Sequence, residues 1–323
     1  MKIVLIALST LISVSLAVAQ TDEPIHVSIT APAGASLVLD GTLTLPVGTT
    51  KPIPVLLLIA GSGPTDRDCN SGYGLKTNAF KMLADSLTAR GIAVARYDKR
   101  GSGTNLKQAV TALKPEEHQF NFYVGDAVDF IRQLQADKRF SRVIVAGHSE
   151  GSLVGMMAAR QTNSPGFISL EGAGRNIAEV MKAQGRLANP PDLQAQVDLV
   201  LDSLRAGYTV HPAHPILKAQ LPLTAQPGII SWMKYDQAVE LKAYAGAVLI
   251  VQGKHDKQVA MIDAETLKAA RPDARLVVFE TMNHILKNAP DEITANFATY
   301  NQPDLPLTPG LASLIADFAK KVR

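Results

Sequence analysis

The sequence predicts an α/β protein, a mostly parallel central sheet with helices on both faces. Three observations point there. The apolar runs at 54–60, 142–146 and 247–251 are continuous rather than alternating, as strands buried on both faces require. Segments of helical spacing lie between them, and strand and helix alternating in this way imply parallel pairing. The composition is that of a packed globular chain: of 323 residues, 46% are hydrophobic and 19% charged, which excludes wholesale disorder.

Taken in order, residues 1–19 show a cationic start at Lys2, a short apolar core and the small residues Ala17-Val18-Ala19. This is the pattern of a secretory signal, so cleavage after Ala19 and an exported, periplasmic or secreted protein are expected. The mature chain, 20–323, is expected to form one domain. Residues 25–46 alternate apolar and polar around the turn-like stretch 31–34 and predict an antiparallel hairpin ahead of the main sheet. A buried strand at 54–60 is followed by a helix over 79–89 that Gly91 stops, and by a strand at 92–96. A helix over 121–135 carries Phe122, Val128, Ile131 and Leu134 on one face; the strand at 142–146, a helix from 151 to 161 and a strand at 166–170 follow.

Between about 172 and 243 the rhythm changes. Helical patterns near 177–187 and 193–206 give way to a stretch rich in Pro and His at 211–227, and no strand fits before 247. This is expected to be an insertion between two strands. A strand at 247–251, a helix at 262–270, a strand at 274–279 and a helix at 310–321 complete the chain.

Charge and cysteine content narrow the function. The net charge of +3 is spread along the chain without a run of one sign, giving no support to a nucleic-acid or polybasic membrane role. The single cysteine, Cys69, excludes an internal disulfide and a cysteine-based zinc site.

The chemistry centres on Gly147-His148-Ser149-Glu150-Gly151, between a strand and a helix. Chance alone would place a G-x-S-x-G pattern in about one such chain in ten, so the position carries the argument. On a sharp strand-to-helix turn the Ser149 hydroxyl projects at the carboxyl end of the sheet, where open α/β folds place their sites. A serine nucleophile needs a base, and His284, in the loop after the strand 274–279, is the best placed of the seven histidines. The base needs a carboxylate to fix its tautomer. Asp256, just after the strand 247–251, fits; Glu171, after the preceding strand, is the competitor. The order Ser149, Asp256, His284 results. Oxyanion donors are expected from the backbone N–H of Glu150 and of Ser62, in the loop Ala60-Gly-Ser-Gly-Pro64, with Gly63 as the neighbouring candidate. No metal or organic cofactor is called for.

These residues, together with Gly61-Ser-Gly-Pro-Thr-Asp-Arg-Asp68, Tyr97-Asp-Lys-Arg-Gly-Ser-Gly103, Gly253-Lys-His-Asp256 and Asn283-His284, resemble the α/β-hydrolase superfamily. Within it, the chain is similar to bacterial carboxylesterases and serine-aminopeptidase-like hydrolases. The resemblance implies a sheet of about eight strands and a lid built from 172–243. Where the family commonly has His-Gly at the start of the oxyanion loop, this chain has Ala60-Gly61. The expected activity is hydrolysis of a small carboxylic ester through an acyl-enzyme. An aminopeptidase or amidase, with Glu171 as a candidate to bind a free amino group, and a non-catalytic binding module are the alternatives. Asp98 and Arg100 are expected to hold loops in ion pairs, and Cys69 to be a shielded structural thiol. Trp232, Met233 and Tyr235 suit either an acyl pocket or core packing.

Overall fold

The computed structural model describes residues 20–30, 34–72 and 74–322. The expected export segment, 1–19, lies outside the described residues.

The hairpin forms from β1 (Gln20–Thr30) and β2 (Ser36–Pro46), which pair antiparallel along their whole lengths. One face of each buries Ile25, Val27, Leu37 and Leu39 while the other meets solvent, the physical reason for the alternation. β3 (Ile53–Ile59) follows, then a two-residue ribbon of β4 (Asn70–Ser71) and β5 (Leu75–Lys76). The next elements are α1 (Ala79–Thr88), β6 (Ala93–Tyr97), α2 (Leu106–Ala112) and α3 (Phe120–Ala136). β7 (Phe140–His148), α4 (Glu150–Gln161) and β8 (Gly166–Leu170) then carry the chain across the sheet centre.

Eight strands join in the order β1-β2-β6-β3-β7-β8-β9-β10, where β9 is Ala247–Gly253 and β10 is Arg275–Phe279. From β6 to β10 every pairing is parallel; only the hairpin and its junction with β6 are antiparallel. Val55 to Ile59 are fully buried because helices cover both faces of β3. Truncating one of them, as in Leu57→Ala, costs about 2–5 kcal/mol.

Between β8 and β9 the insertion is helical: α5 (Ile177–Ala188), α6 (Pro191–Arg205), α7 (Pro215–Gln220), α8 (Gln226–Met233) and α9 (Gln237–Lys242). It has its own apolar cluster, including Val180, Val197, Leu201, Leu204 and Leu217, separate from the two clusters that line the sheet. Met233 belongs to that cluster, whereas Trp232 stacks on Phe120 of α3 at 5.6 Å and fastens the insertion to the sheet domain. α10 (Met261–Ala270), α11 (Ile293–Ala298) and α12 (Leu311–Lys321) close the chain.

Candidate active site

β7 ends at His148 and α4 begins at Glu150, so Ser149 alone makes the turn. It does so with φ 53° and ψ −122°, a strained conformation for a residue with a side chain. The two flanking glycines are required by crowding. A Cβ on Gly147 would overlap the Gly151 backbone, and one on Gly151 would overlap the carbonyls of Ile59 and Ala60. The Ser149 N–H donates to Leu170 O at 3.0 Å, tying the turn to β8.

His284 and Asp256 arrive from loops beyond β10 and β9. Gly253 lets these loops meet, because its Cα side faces the Met282 carbonyl with no room for a Cβ. The His255 N–H then donates to Met282 O at 3.1 Å, and His284 Nδ1 lies 2.7 Å from Asp256 Oδ2. Asp256 Oδ1 accepts the backbone N–H groups of Gln258 and Val259 at 2.7 and 3.0 Å. Burial disfavours its ionisation, but the His284 ring and these hydrogen bonds outweigh that, holding the carboxyl below the usual aspartate value. Among the described residues no hydrogen bond joins Ser149 Oγ to the ring; such bonds are often long before substrate binds.

Glu171, the competing acid, lies behind Asp256. It is fully buried in the left-handed region at φ 49°, and its carboxyl accepts the Gly253 N–H at 2.9 Å. Burial first, and the Asp256 charge second, push its pKa well above the usual glutamate value. Glu171 is therefore a neutral acid that donates a hydrogen bond to Asp256. That corrects the expectation of Glu171 as a binder of a substrate amino group: a sealed, protonated carboxyl presents neither charge nor surface to one.

His148 plays a part that the sequence did not reveal. Its Nε2–H donates to the His284 carbonyl at 2.6 Å, and the two rings are 4.6 Å apart. Burial lowers its pKa to about 3, so the ring is neutral and adds no charge beside His284. Lys287, on the same loop as His284, is buried and donates to the carbonyls of Thr77 and Gln302 at 2.7 and 2.8 Å.

Ser62, Ser149 and Glu150 line one cavity of about 100 Å³, with Ala173, Ile177, Val180, Met181, Gln184, Trp232, Gln237, Gln258 and Val259 completing its wall. The insertion thus roofs the space above Ser149, and Trp232 both lines it and packs on Phe120. Tyr235 packs against Phe120 instead. Glu150, as the first residue of α4, has an N–H without an intrahelical acceptor. The Thr65 hydroxyl donates to Ser62 O at 3.0 Å and pins the loop carrying the second N–H.

Asp98 and Arg100 hold loops as expected, though not with one another. Asp98 binds Arg67 at 2.7 Å and the Thr104 N–H at 2.9 Å, while Arg100 grips Asp126 through two hydrogen bonds at 2.6 and 2.7 Å. Cys69 is buried, and burial raises its pKa to about 12, so it remains a neutral thiol. Among the described residues no group of His, Cys, Asp and Glu is arranged to hold a metal ion.

A strained serine on a strand-to-helix turn at the sheet's carboxyl edge, with a histidine bonded to aspartate packed on the preceding His148, defines a serine hydrolase of the α/β-hydrolase fold. The chain belongs to the serine aminopeptidase S33 family, which matches residues 69–291. It is 28% identical over 253 residues to "Esterase EstD" of Thermotoga maritima, an alignment covering 77% of this chain. The chain spans 58% of that relative's length. Among solved structures it is similar to ferulic acid-bound Est1E of Butyrivibrio proteoclasticus, with a TM-score of 0.56 at 15% identity, over 91% of this chain and 96% of that one. A thermophilic esterase from Thermogutta terrifontis matches with a TM-score of 0.54 at 16% identity, over 93% and 99% of the two chains. At these identities the structural likenesses show the fold.

Proposed function

We propose that this protein is an exported serine esterase that cleaves small carboxylic esters through an acyl-enzyme. The observation that carries the reading is the His284–Asp256 bond, held against His148 of the turn whose Ser149 lines a small cavity. His284 Nε2 takes the proton of Ser149 Oγ as the oxygen attacks the ester carbonyl, and Asp256 stabilises the imidazolium that forms. The N–H groups of Ser62 and Glu150 receive the oxyanion. Collapse expels the alcohol, which takes the proton from His284. Water, deprotonated by the same ring, then releases the acid and restores Ser149. The helical insertion 172–243 acts as a lid that bounds the acyl group.

The esterase name of the Thermotoga relative supports the ester reading over the peptidase one. So does the cavity wall. Its one carboxylate, Glu150, is already paired with Lys99 at 2.8 Å, leaving no free acid to bind an α-amino group. Export rests on the residue pattern of 1–19 and predicts a mature N-terminus at Gln20. The test compares p-nitrophenyl acetate and butyrate with aminoacyl p-nitroanilides, using wild type and Ser149→Ala. Ester preference abolished by the substitution supports the proposal; anilide preference, or full activity in the variant, overturns it.

A further inference from the structure

Lys99 belongs to the Tyr97-Asp-Lys-Arg-Gly stretch, and neither the triad nor the oxyanion donors account for it. Its side chain is 1% exposed, and the Glu150 side chain it meets is 7% exposed. Burying an ammonium group is costly unless it is paired and hydrogen-bonded, so its partners are informative. There are two, and both lie in the site. Lys99 Nζ donates to the Gly61 carbonyl at 2.5 Å and to Glu150 Oε1 at 2.8 Å. Its third face is closed by the Tyr123 ring, whose centroid is 4.9 Å away.

The strand register explains the meeting. β3 and β6 run parallel with Leu58 opposite Arg96, and the same offset carries Gly61 level with Lys99 beyond the strand ends. The Lys99 backbone is also held, since its carbonyl accepts from the Ser102 N–H and hydroxyl, both at 3.0 Å. The ammonium group therefore projects from a rigid base.

Gly61 C=O and Ser62 N–H belong to one peptide unit. In a planar trans peptide these two bonds point in opposite directions, so fixing the carbonyl fixes the N–H. A charge-assisted hydrogen bond to the carbonyl also polarises the amide and strengthens its N–H as a donor. Among the described residues that N–H has no hydrogen-bond partner, as a donor kept for a transient oxyanion requires. Glu150 balances the ammonium charge and links the same clamp to the residue that supplies the other donor.

We infer that Lys99 is a positioning residue of the oxyanion hole: by gripping the Gly61 carbonyl it aims the Ser62 N–H at the oxygen that develops over Ser149. The inference rests on the ester-hydrolase reading above and deepens it. Because the N–H is misaimed rather than removed, the effect approaches the lower end of what losing one oxyanion donor does.

The experiment measures p-nitrophenyl acetate hydrolysis by wild type, Lys99→Met, Lys99→Arg and the double variant Lys99→Met with Glu150→Gln. In Lys99→Met, kcat falls about 10²-fold while KM stays within about threefold, because the ground-state carbonyl makes little use of the hole. Affinity for an aryl trifluoromethyl ketone, whose hemiketal oxyanion occupies the hole, falls by a similar factor. Lys99→Arg, which retains a cationic donor, recovers part of kcat. The double variant leaves no unpaired buried charge and supplies the test if Lys99→Met does not fold; it stays as slow as the single variant. Recovery of wild-type kcat in the double variant would show that Lys99 only neutralises Glu150, overturning the inference. A change below threefold in Lys99→Met would overturn it too. Failure of wild type to hydrolyse the ester would instead overturn the functional reading itself.

Discussion

Asp256→Asn is the most informative single substitution, because the surroundings dictate which way the new amide must face. Oδ1 of Asp256 accepts two backbone N–H groups, from Gln258 and Val259, while Oδ2 meets His284 Nδ1 at 2.7 Å. An asparagine amide must keep its carbonyl toward the two donors; flipped, its NH₂ would oppose both. The NH₂ group then faces Nδ1 and donates to it. That drives the ring proton onto Nε2, the atom that accepts the proton of Ser149 in the proposed mechanism. The carboxylate that stabilises the imidazolium is lost at the same time. Together these effects predict a fall in kcat of about 10³–10⁴-fold, or about 4–5 kcal/mol of transition-state stabilisation. Because both backbone hydrogen bonds survive, KM should change by less than about threefold and the thermal midpoint by only a few degrees. Steady-state hydrolysis of p-nitrophenyl acetate, with a thermal melt on the same preparations, reads both quantities. A loss below tenfold would refute the reasoning, and a loss above 10³-fold in Glu171→Gln would then point to Glu171 as the acid.

Two further expectations concern buried groups held neutral. Glu171→Gln should keep activity and stability near wild type at pH 7, since an amide can donate to Asp256 and accept the Gly253 N–H. The Glu171 pKa is raised on folding, so its contribution is fully present below the unfolded value and is lost as pH rises through the folded one. Urea midpoints between pH 5 and 10 should therefore decline less steeply in Glu171→Gln, whereas Glu171→Leu, which strands the Gly253 N–H, costs about 1–3 kcal/mol. For His148 the sign reverses: its folded pKa of about 3 lies below the ordinary 6.5, so stability is complete above pH 6.5 and falls with pH toward 3. The loss amounts to up to about 4–5 kcal/mol, and His148→Gln should show a visibly flatter acid limb in the same titration. An unchanged slope would contradict the neutral, buried imidazole.

Much of this arrangement could be read along the chain because it is encoded locally. The long apolar runs mark β3, β7 and β9, and the Gly147-to-Gly151 pattern marks the turn through the glycines that crowding demands. Asp256 and His284 each follow a strand in the expected order, and the fold brings the two side chains together. What escaped is short or non-local. β4, β5, α2 and α11 span two to seven residues, too few for periodicity to show. The supports of the site join residues far apart in sequence: Lys99 with Glu150, Glu171 with Gly253, and His148 with His284 are 51, 82 and 136 positions apart. No spacing rule links such positions. For Glu171 the ambiguity had a physical basis, since both carboxyls sit at strand ends beside the histidine loop and only burial and partners distinguish the ionised acid from the protonated one.

The central claim is that Ser149 is the nucleophile of an acyl-transfer reaction. It is tested most directly by treating the folded protein with a fluorophosphonate and locating the adduct by intact mass and peptide mapping. The account predicts one adduct per chain, on Ser149, formed in step with the loss of ester hydrolysis and absent from Ser149→Ala. An adduct on another residue, or undiminished labelling and turnover in Ser149→Ala, would contradict it.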